Sequence, residues 1–131
     1  MKDKKVYTVA TAHLDTVWRW NLATTIEEFL PDTISKNFDL IEKYPNYRFN
    51  FEGAFRYELI EEYYPKQFEE IQELVKQGKW CPAGSSYENG DVNVPSPEAL
   101  FRNILIGNRY FFAGLLWFWL CITVCYETQQ T

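Results

Sequence analysis

The sequence is poor in the residues from which metal sites and nucleic-acid surfaces are usually built. One histidine and three cysteines occur among its 131 residues, and they form no zinc-finger pattern. No lysine- or arginine-rich run follows the opening residues, and the formal net charge of -5 disfavours binding to a phosphate backbone. The N-terminus lacks the long apolar segment of a signal peptide. We therefore expect a cytoplasmic protein with no nucleic-acid partner.

Charge is also missing from one late segment, although the chain as a whole is that of a folded domain, with 47% hydrophobic residues. Residues 111–126 carry no charged side chain. This segment falls just short of the about 20 apolar residues that span a membrane. Three interpretations stay open: a membrane-associated helix, a buried core element, or an aberrant tail outside the fold. We divide the chain into residues 1–110 and an apolar tail, residues 111–131, and expect membrane association only through residues 111–126.

Strand and helix patterns alternate along residues 1–110. β-branched residues at 6–11 predict a buried strand, residues 47–52 alternate between apolar and polar, and a third strand is expected near Trp80. The order β-α-β-α-β-α predicts an α/β fold with parallel strands, either an open doubly wound sheet or part of a (β/α) barrel. Three such units do not close a barrel, so we expect the chain to be part of something larger.

The intervening segments carry helix start and stop signals. Thr25 and Glu28 fit a capping box. Pro65 divides the second helical region, and Ser96 with Pro97 fits the N-cap and first position of the last helix. An apolar stripe at helical spacing is expected in the segment after Pro65, formed by Phe68, Ile71 and Val75.

His13 and Asp15 come directly after the first predicted strand. Residues two apart in extended chain point to the same side, so these two side chains are expected to converge. Imidazole nitrogen and carboxylate oxygen are both good Zn²⁺ ligands, and the carboxyl end of a parallel strand is where barrel enzymes place their sites. Trp18 offers a flat apolar surface nearby. The alternative is an ordinary hydrogen-bonded His–Asp pair at a strand end.

Polar side chains also follow the other two strands. Glu52 stands where the second strand stops, and the loop after the third offers Glu88, Asn89, Asp91 and Asn93. Carboxylates and amides of this kind hold hydroxyl-rich ligands, although Asn and Asp are also ordinary turn formers. Because all these clusters follow predicted parallel strands, we expect them on one face of the fold.

Three collinear segments resemble one enzyme family. The first is AHLDTVW, residues 12–18, which resembles the H-x-D-x-x-W signature of family 38 glycoside hydrolases, the class II α-mannosidases. Residues 51–80 look like the second βα unit of that family. Residues 87–111 look like its D-x-N-x-P-S-x-E stretch. The resemblance covers about residues 6–111.

This resemblance implies a fold and an activity. The fold would be a truncated seven-stranded parallel (β/α) barrel-like glycosidase domain, of which this chain contains the first three βα units. The parent activity would be that of a retaining, zinc-dependent α-mannosidase that hydrolyses terminal α-mannosides of glycans or oligosaccharides. Its partners would be mannose-containing carbohydrates and one zinc ion.

The same resemblance assigns roles to individual residues. It implies zinc ligation by His13 and Asp15. It implies substrate binding by Trp18, Tyr87, Glu88, Asp91 and Asn93. Tyr87 and Thr16 stand where the family commonly has Trp and Pro. The family's nucleophile, a later Asp that also binds zinc, and its further His ligand have no match here. No catalytic residue is therefore assigned, and this chain alone is predicted to be inactive. Alternatives are a metal-dependent carbohydrate deacetylase-like fragment and a small membrane-associated, non-enzymatic protein.

Overall fold

The computed structural model describes residue 6 and residues 8–114, with side chains described up to residue 112. Within this part of the chain three strands alternate with helices. The strands are β1 (Ala10–Ala12), β2 (Phe49–Glu52) and β3 (Trp80–Ala83). The helices are α1 (Leu22–Thr24), α2 (Leu30–Lys43), α3 (Ala54–Tyr63), α4 (Pro65–Lys76) and α5 (Pro97–Gly114), and a π-helical segment, Thr25–Phe29, joins α1 to α2. The predicted α/β class is confirmed.

The strands form a parallel sheet in the order β1-β2-β3. In register, Ala10 of β1 pairs with Phe49 of β2, which pairs with Trp80 of β3. Parallel neighbours need a crossover connection, and the helices between the strands supply it. All three strands therefore end at the same edge of the sheet. Closure of such a sheet into a barrel stays a prediction.

The core lies where β2 meets β3 and α3. Phe49 and Phe51 of β2 are buried, whereas Asn50 and Glu52 are partly exposed, which confirms the predicted alternation. The fully buried Trp80 donates from Nε1 to the hydroxyl of Tyr57 (2.9 Å), and that hydroxyl donates to the main-chain oxygen of Phe51 (2.9 Å). The polar atoms of these aromatic side chains are thus satisfied inside the core, where an unpaired donor would be costly.

The segment after β2 is divided at Pro65, as predicted. Proline has no N–H to donate and is tolerated in the first turn of a helix, so α3 ends at Tyr63 and α4 begins at Pro65. The predicted stripe on α4 is buried: Phe68, Ile71 and Val75. Gly78 follows α4 with a φ of 66°, the left-handed conformation common just after a helix end.

The predicted capping box at Thr25 and Glu28 is wrong. The helix begins earlier, and Oδ1 of Asn21 accepts from the N–H of Thr24 (3.0 Å) as its N-cap. Thr25 is buried and its hydroxyl donates to the main-chain oxygen of Thr16 (2.6 Å). This long-range bond takes the hydroxyl away from the helix terminus.

The first strand is also shorter and later than the expected residues 6–11. β1 covers Ala10–Ala12, and both Val6 and Val9 are exposed. Ala10 pairs with Phe49, which is the first residue of β2, so Val6 and Val9 lie before the paired part of β1.

The last helix begins as predicted, with Oγ of Ser96 accepting from the N–H of Ala99 (3.2 Å). Near its other end Phe111 is buried against Tyr57, with ring centroids 5.7 Å apart. Phe101 and Leu105 of the same helix are exposed. Among the described residues, no helix is long and apolar enough to cross a membrane. Residues 115–131 lie outside the described residues, so the interpretations of the tail and the boundary after residue 110 stay predictions.

Candidate active site

The ends of β1 and β2 bring His13 into contact with two carboxylates. Nε2 of His13 lies 3.2 Å from Oδ1 of Asp15, so the predicted convergence of these two side chains is confirmed. Nδ1 of the same ring lies 3.2 Å from Oε1 of Glu52, the last residue of β2. Side-chain exposures of 65%, 40% and 38% for His13, Asp15 and Glu52 leave this cluster open to solvent.

The loop after β3 joins the cluster through Glu88 and Asn89. Nδ2 of Asn89 donates to Oε1 of Glu52 (2.7 Å), and the backbone N–H of Asn89 donates to Oε1 of Glu88 (2.7 Å). Asn103 of α5 holds this loop in place, since it accepts from the N–H of Glu88 (2.8 Å) and donates to its main-chain oxygen (2.7 Å). The predicted gathering of polar side chains from three strand ends is therefore confirmed for His13, Asp15, Glu52, Glu88 and Asn89.

Arg56 connects the three segments of this site, and it is not among the residues predicted from the sequence. Its side chain is 0% exposed. Nε donates to the main-chain oxygen of Leu14 (2.6 Å), Nη1 to that of Glu52 (3.3 Å), and Nη2 to Oε1 of Glu88 (2.8 Å). One guanidinium thus connects the chain after β1, the end of β2 and the loop after β3.

One sequence signal does point to Arg56. It lies in the first turn of α3, where the positive end of the helix dipole disfavours a cation. A buried arginine in that position needs acceptors that outweigh both the dipole and its own desolvation. Three acceptors from three segments meet this need.

Glu88 is held from several sides. Besides the guanidinium, the hydroxyl of Thr16 donates to its Oε2. The side chain of Glu88 is 31% exposed, so the ion pair with Arg56 is only partly open to water. A proline at position 16 would lack this hydroxyl. Thr16 therefore gives the chain a link between the segment after β1 and the loop after β3.

Tyr87 is engaged by α3. Its hydroxyl donates to Oε2 of Glu58 (2.5 Å), and its ring lies against Phe55 with centroids 5.3 Å apart. Burial, followed by the hydrogen bond to Glu58 and the charges of Glu58 and Glu88, raises the pKa of Tyr87 to about 12. The phenol is therefore neutral at ordinary pH and acts there as a donor.

The remaining predicted site residues lie outside this hydrogen-bonded cluster. Trp18 is 67% exposed. Oδ1 of Asp91 accepts from the backbone N–H (2.8 Å) and the side-chain amide (3.0 Å) of Asn93, which closes a local turn in an exposed loop. A substrate contact for Trp18, Asp91 and Asn93 stays a prediction.

The donor chemistry at His13 fits part of a zinc site. Zinc bonds of about 2.0–2.1 Å to nitrogen and about 2.0–2.2 Å to oxygen in a tetrahedron separate two ligand atoms by about 3.4 Å. Nε2 of His13 and Oδ1 of Asp15 are 3.2 Å apart. Within the described residues no group of three or more His, Cys, Asp or Glu side chains is arranged to hold a metal ion. Glu52 faces the other ring nitrogen, so these residues offer one ion two donors.

A parallel α/β domain with a histidine, carboxylates and amides at its strand ends has the architecture of enzymes that bind substrates at that edge. The sequence profile described as "Glycosyl hydrolases family 38 N-terminal domain" matches residues 3–115. The chain belongs to glycosyl hydrolase family 38. This membership favours the glycosidase interpretation over the deacetylase alternative.

Curated relatives carry mannosidase names. "Alpha-mannosidase G" of Dictyostelium discoideum is 32% identical over 107 residues, which cover 82% of this chain and 10% of that protein. "Alpha-mannosidase" of Saccharomyces cerevisiae is 30% identical over 130 residues, with 95% and 12% covered. "Alpha-mannosidase 2C1" of Homo sapiens is 29% identical over 128 residues, with the same coverage. The chain thus spans about a tenth of the length of these relatives.

Proposed function

We propose that this chain forms the first part of the active site of a zinc-dependent α-mannosidase that acts on mannose-containing glycans. The observation that carries this proposal is the cluster of His13, Asp15, Glu52 and Glu88 at the strand ends of a family 38 chain. The names of the relatives support α-mannosides as the substrate class.

His13 and Asp15 are the residues that would hold zinc. When bound, zinc supplies a Lewis acid that orients and polarises sugar oxygens. The chain's own polar groups do the remaining work at this edge of the sheet. Asn89 and Glu88 are fixed by Arg56 and Asn103, so a sugar hydroxyl would meet groups whose positions are already set. Trp18 supplies an exposed ring on which a sugar face can stack.

Retention of configuration requires a carboxylate nucleophile and a separate acid/base carboxyl group about 5–5.5 Å from it. In our proposal the nucleophile attacks the anomeric carbon while the acid protonates the departing oxygen, and water later releases the sugar with the same face retained. The carboxylates of the described cluster are occupied by His13, Arg56 and Thr16. We therefore assign both catalytic roles to residues that this chain does not contain, and we propose that the chain alone is inactive.

An assay of the purified chain with p-nitrophenyl α-mannoside tests this assignment. We expect no release of p-nitrophenol above the buffer rate, with or without added zinc. The matched control is the His13→Ala variant, which loses one proposed ligand and should behave identically. Zinc-dependent hydrolysis by the unaltered chain that disappears in His13→Ala would contradict the proposed inactivity, because it would show a complete site.

A further inference from the structure

The ring of His13 has one carboxylate at each nitrogen. Oε1 of Glu52 lies 3.2 Å from Nδ1, and Oδ1 of Asp15 lies 3.2 Å from Nε2. A neutral imidazole carries one proton, so one nitrogen donates a hydrogen bond and the other keeps a lone pair. Only the nitrogen with the lone pair can bind a metal ion. The carboxylate that accepts from the ring therefore decides which nitrogen is presented to the metal.

We propose that Glu52 is the positioning residue of His13: it accepts from Nδ1–H and leaves the lone pair of Nε2 beside Asp15. This inference rests on the proposed function, because it takes His13 and Asp15 as the zinc ligands. Glu52 acts through the ring of His13 and binds neither the metal ion nor the substrate. Outer carboxylates of this kind fix the tautomer and orientation of ligating histidines in metalloproteins generally.

The surroundings of Glu52 make it the fixed partner of the ring. Nδ2 of Asn89 donates to the same Oε1 atom (2.7 Å), which holds that oxygen in place. The main-chain oxygen of Glu52 accepts from Nη1 of Arg56 (3.3 Å), and Nε of the same guanidinium donates to the main-chain oxygen of Leu14 (2.6 Å), next to His13. One buried side chain thus sets the separation between the backbone at His13 and the backbone at Glu52.

Asp15 is a different kind of partner. It lies two residues from His13 on the same segment, so its carboxylate moves together with the ring when that segment moves. Glu52 reaches the ring from the neighbouring strand, 39 residues away in sequence. A contact across the sheet fixes the orientation of the ring relative to the fold, which a contact within one segment cannot do.

Substitution of Glu52 should change the tautomer of the His13 ring. It should leave the free energy of unfolding nearly unchanged. The side chains of His13 and Glu52 are 65% and 38% exposed. Hydrogen bonds between such exposed groups contribute little to the free energy of folding, because water replaces either partner. Substitutions of Glu52 are therefore expected to leave a folded chain in which the tautomer can be measured.

The test uses the fact that His13 is the only histidine in the chain. The full 131-residue chain is labelled with ¹⁵N-histidine, so its imidazole signals come from a single ring. The ¹⁵N shifts at about pH 9, where imidazole is neutral, report the tautomer. Zinc is then added at about pH 7, and its affinity is taken from the change at Nε2. The same measurements are made on Glu52→Ala, Glu52→Gln and, as a charge-matched control, Glu62→Gln, which alters an exposed carboxylate of α3.

We expect Nδ1–H to dominate in the unaltered chain and in Glu62→Gln. In Glu52→Ala the Nε2–H form should dominate, since Asp15 is then the remaining acceptor, and zinc affinity should fall by about tenfold or more. Glu52→Gln keeps an amide oxygen that accepts from Nδ1–H, so it should recover part of both effects. An unchanged tautomer and an affinity within about twofold of the unaltered chain in Glu52→Ala would overturn the inference.

Failure of the proposed function gives a different result. If zinc leaves both ring nitrogens of the unaltered chain unaffected while Glu52→Ala still changes the tautomer, the assignment of His13 as a zinc ligand is wrong. In that case Glu52 accepts a hydrogen bond from the ring, but it does not position a zinc ligand. Backbone ¹H–¹⁵N spectra of uniformly ¹⁵N-labelled samples of each variant test whether the fold is unchanged.

Discussion

Replacing Arg56 with methionine removes the guanidinium that joins the three strand ends. Methionine keeps an unbranched apolar chain of similar length, so the substitution removes hydrogen bonds more than it removes packing. The carboxylate of Glu88 loses its buried cation, and the main-chain oxygens of Leu14 and Glu52 lose a donor. We expect a large loss of stability from this single change.

The magnitude follows from the exposure of the partners. Removing one member of a buried ion pair typically costs about 3–5 kcal/mol, because the other charge remains without a partner. Arg56 is fully buried, but the side chain of Glu88 is 31% exposed and can recover some hydration, which favours the lower end of that range. A carbonyl left without a donor adds about 1–3 kcal/mol if it stays buried, and much less if water replaces the donor. We therefore expect the free energy of unfolding to fall by at least about 3 kcal/mol.

Urea unfolding followed by tryptophan fluorescence and far-UV circular dichroism measures this change. The control is Arg102→Met, which removes an arginine whose ion pair with Glu98 on α5 is 70% exposed on both sides. An exposed pair of this kind contributes less than about 1 kcal/mol. The double variant Arg56→Met/Glu88→Gln should be clearly less destabilised than the sum of its parts, since the charge stranded by the first change is neutralised by the second.

The result that would refute this reasoning is an Arg56→Met chain as stable as Arg102→Met. Additive effects of Arg56→Met and Glu88→Gln would refute it in part, because they would mean that the two side chains do not interact in the folded chain.

Two further predictions concern the loop after β3. Gly107 of α5 lies so close to the main chain at Ser85 and Tyr87 that a Cβ would overlap it, so Gly107→Ala should destabilise the chain by about 2 kcal/mol despite the better helix propensity of alanine. The measurement is thermal unfolding, with Gly90→Ala as the control because a Cβ has room there. Equal melting temperatures of the two variants would contradict the prediction. Because the pKa of Tyr87 is raised to about 12, the unfolded chain loses this proton first, and stability should fall as pH rises from about 10 to about 12. Urea midpoints across this range should fall less steeply in Tyr87→Phe, which has no phenol to ionise; parallel curves would exclude the contribution of Tyr87 and Glu58.

Local patterns predicted the elements that depend on local physics. The alternation of Phe49 and Phe51 with polar residues gave the buried face of β2, and Pro65 gave the break between α3 and α4. Ser96 gave the start of α5. In each case the deciding interaction lies within a few residues, so the sequence contains it directly.

The capping box failed for the opposite reason. The hydroxyl of Thr25 is bonded to the main-chain oxygen of Thr16, nine residues away, and this tertiary contact outweighs the local capping preference. A rule based on the spacing of neighbouring residues does not include such a tertiary hydrogen bond.

The candidate site divides in the same way. The contact between His13 and Asp15 follows from their two-residue spacing, and it was predicted. The contact between His13 and Glu52 depends on the parallel register of β1 and β2, which neither strand specifies alone. Arg56 could be found only through its unfavourable position at a helix N-terminus, and its acceptors come from three separate segments.

Glu52 and Gly53, adjacent residues at the end of β2, differ in what their substitution would report. Gly53 has a φ of 84°, and a Cβ there would overlap the buried Nη1 of Arg56. Any replacement therefore both strains the backbone and displaces the guanidinium. A variant at this position loses stability and site geometry together, so the two effects cannot be separated. The side chain of Glu52 is partly exposed, so we expect its replacement to change the site and to leave the fold intact. Position 53 thus measures tolerance of the scaffold, and position 52 is where selection for altered ligand chemistry has room to act.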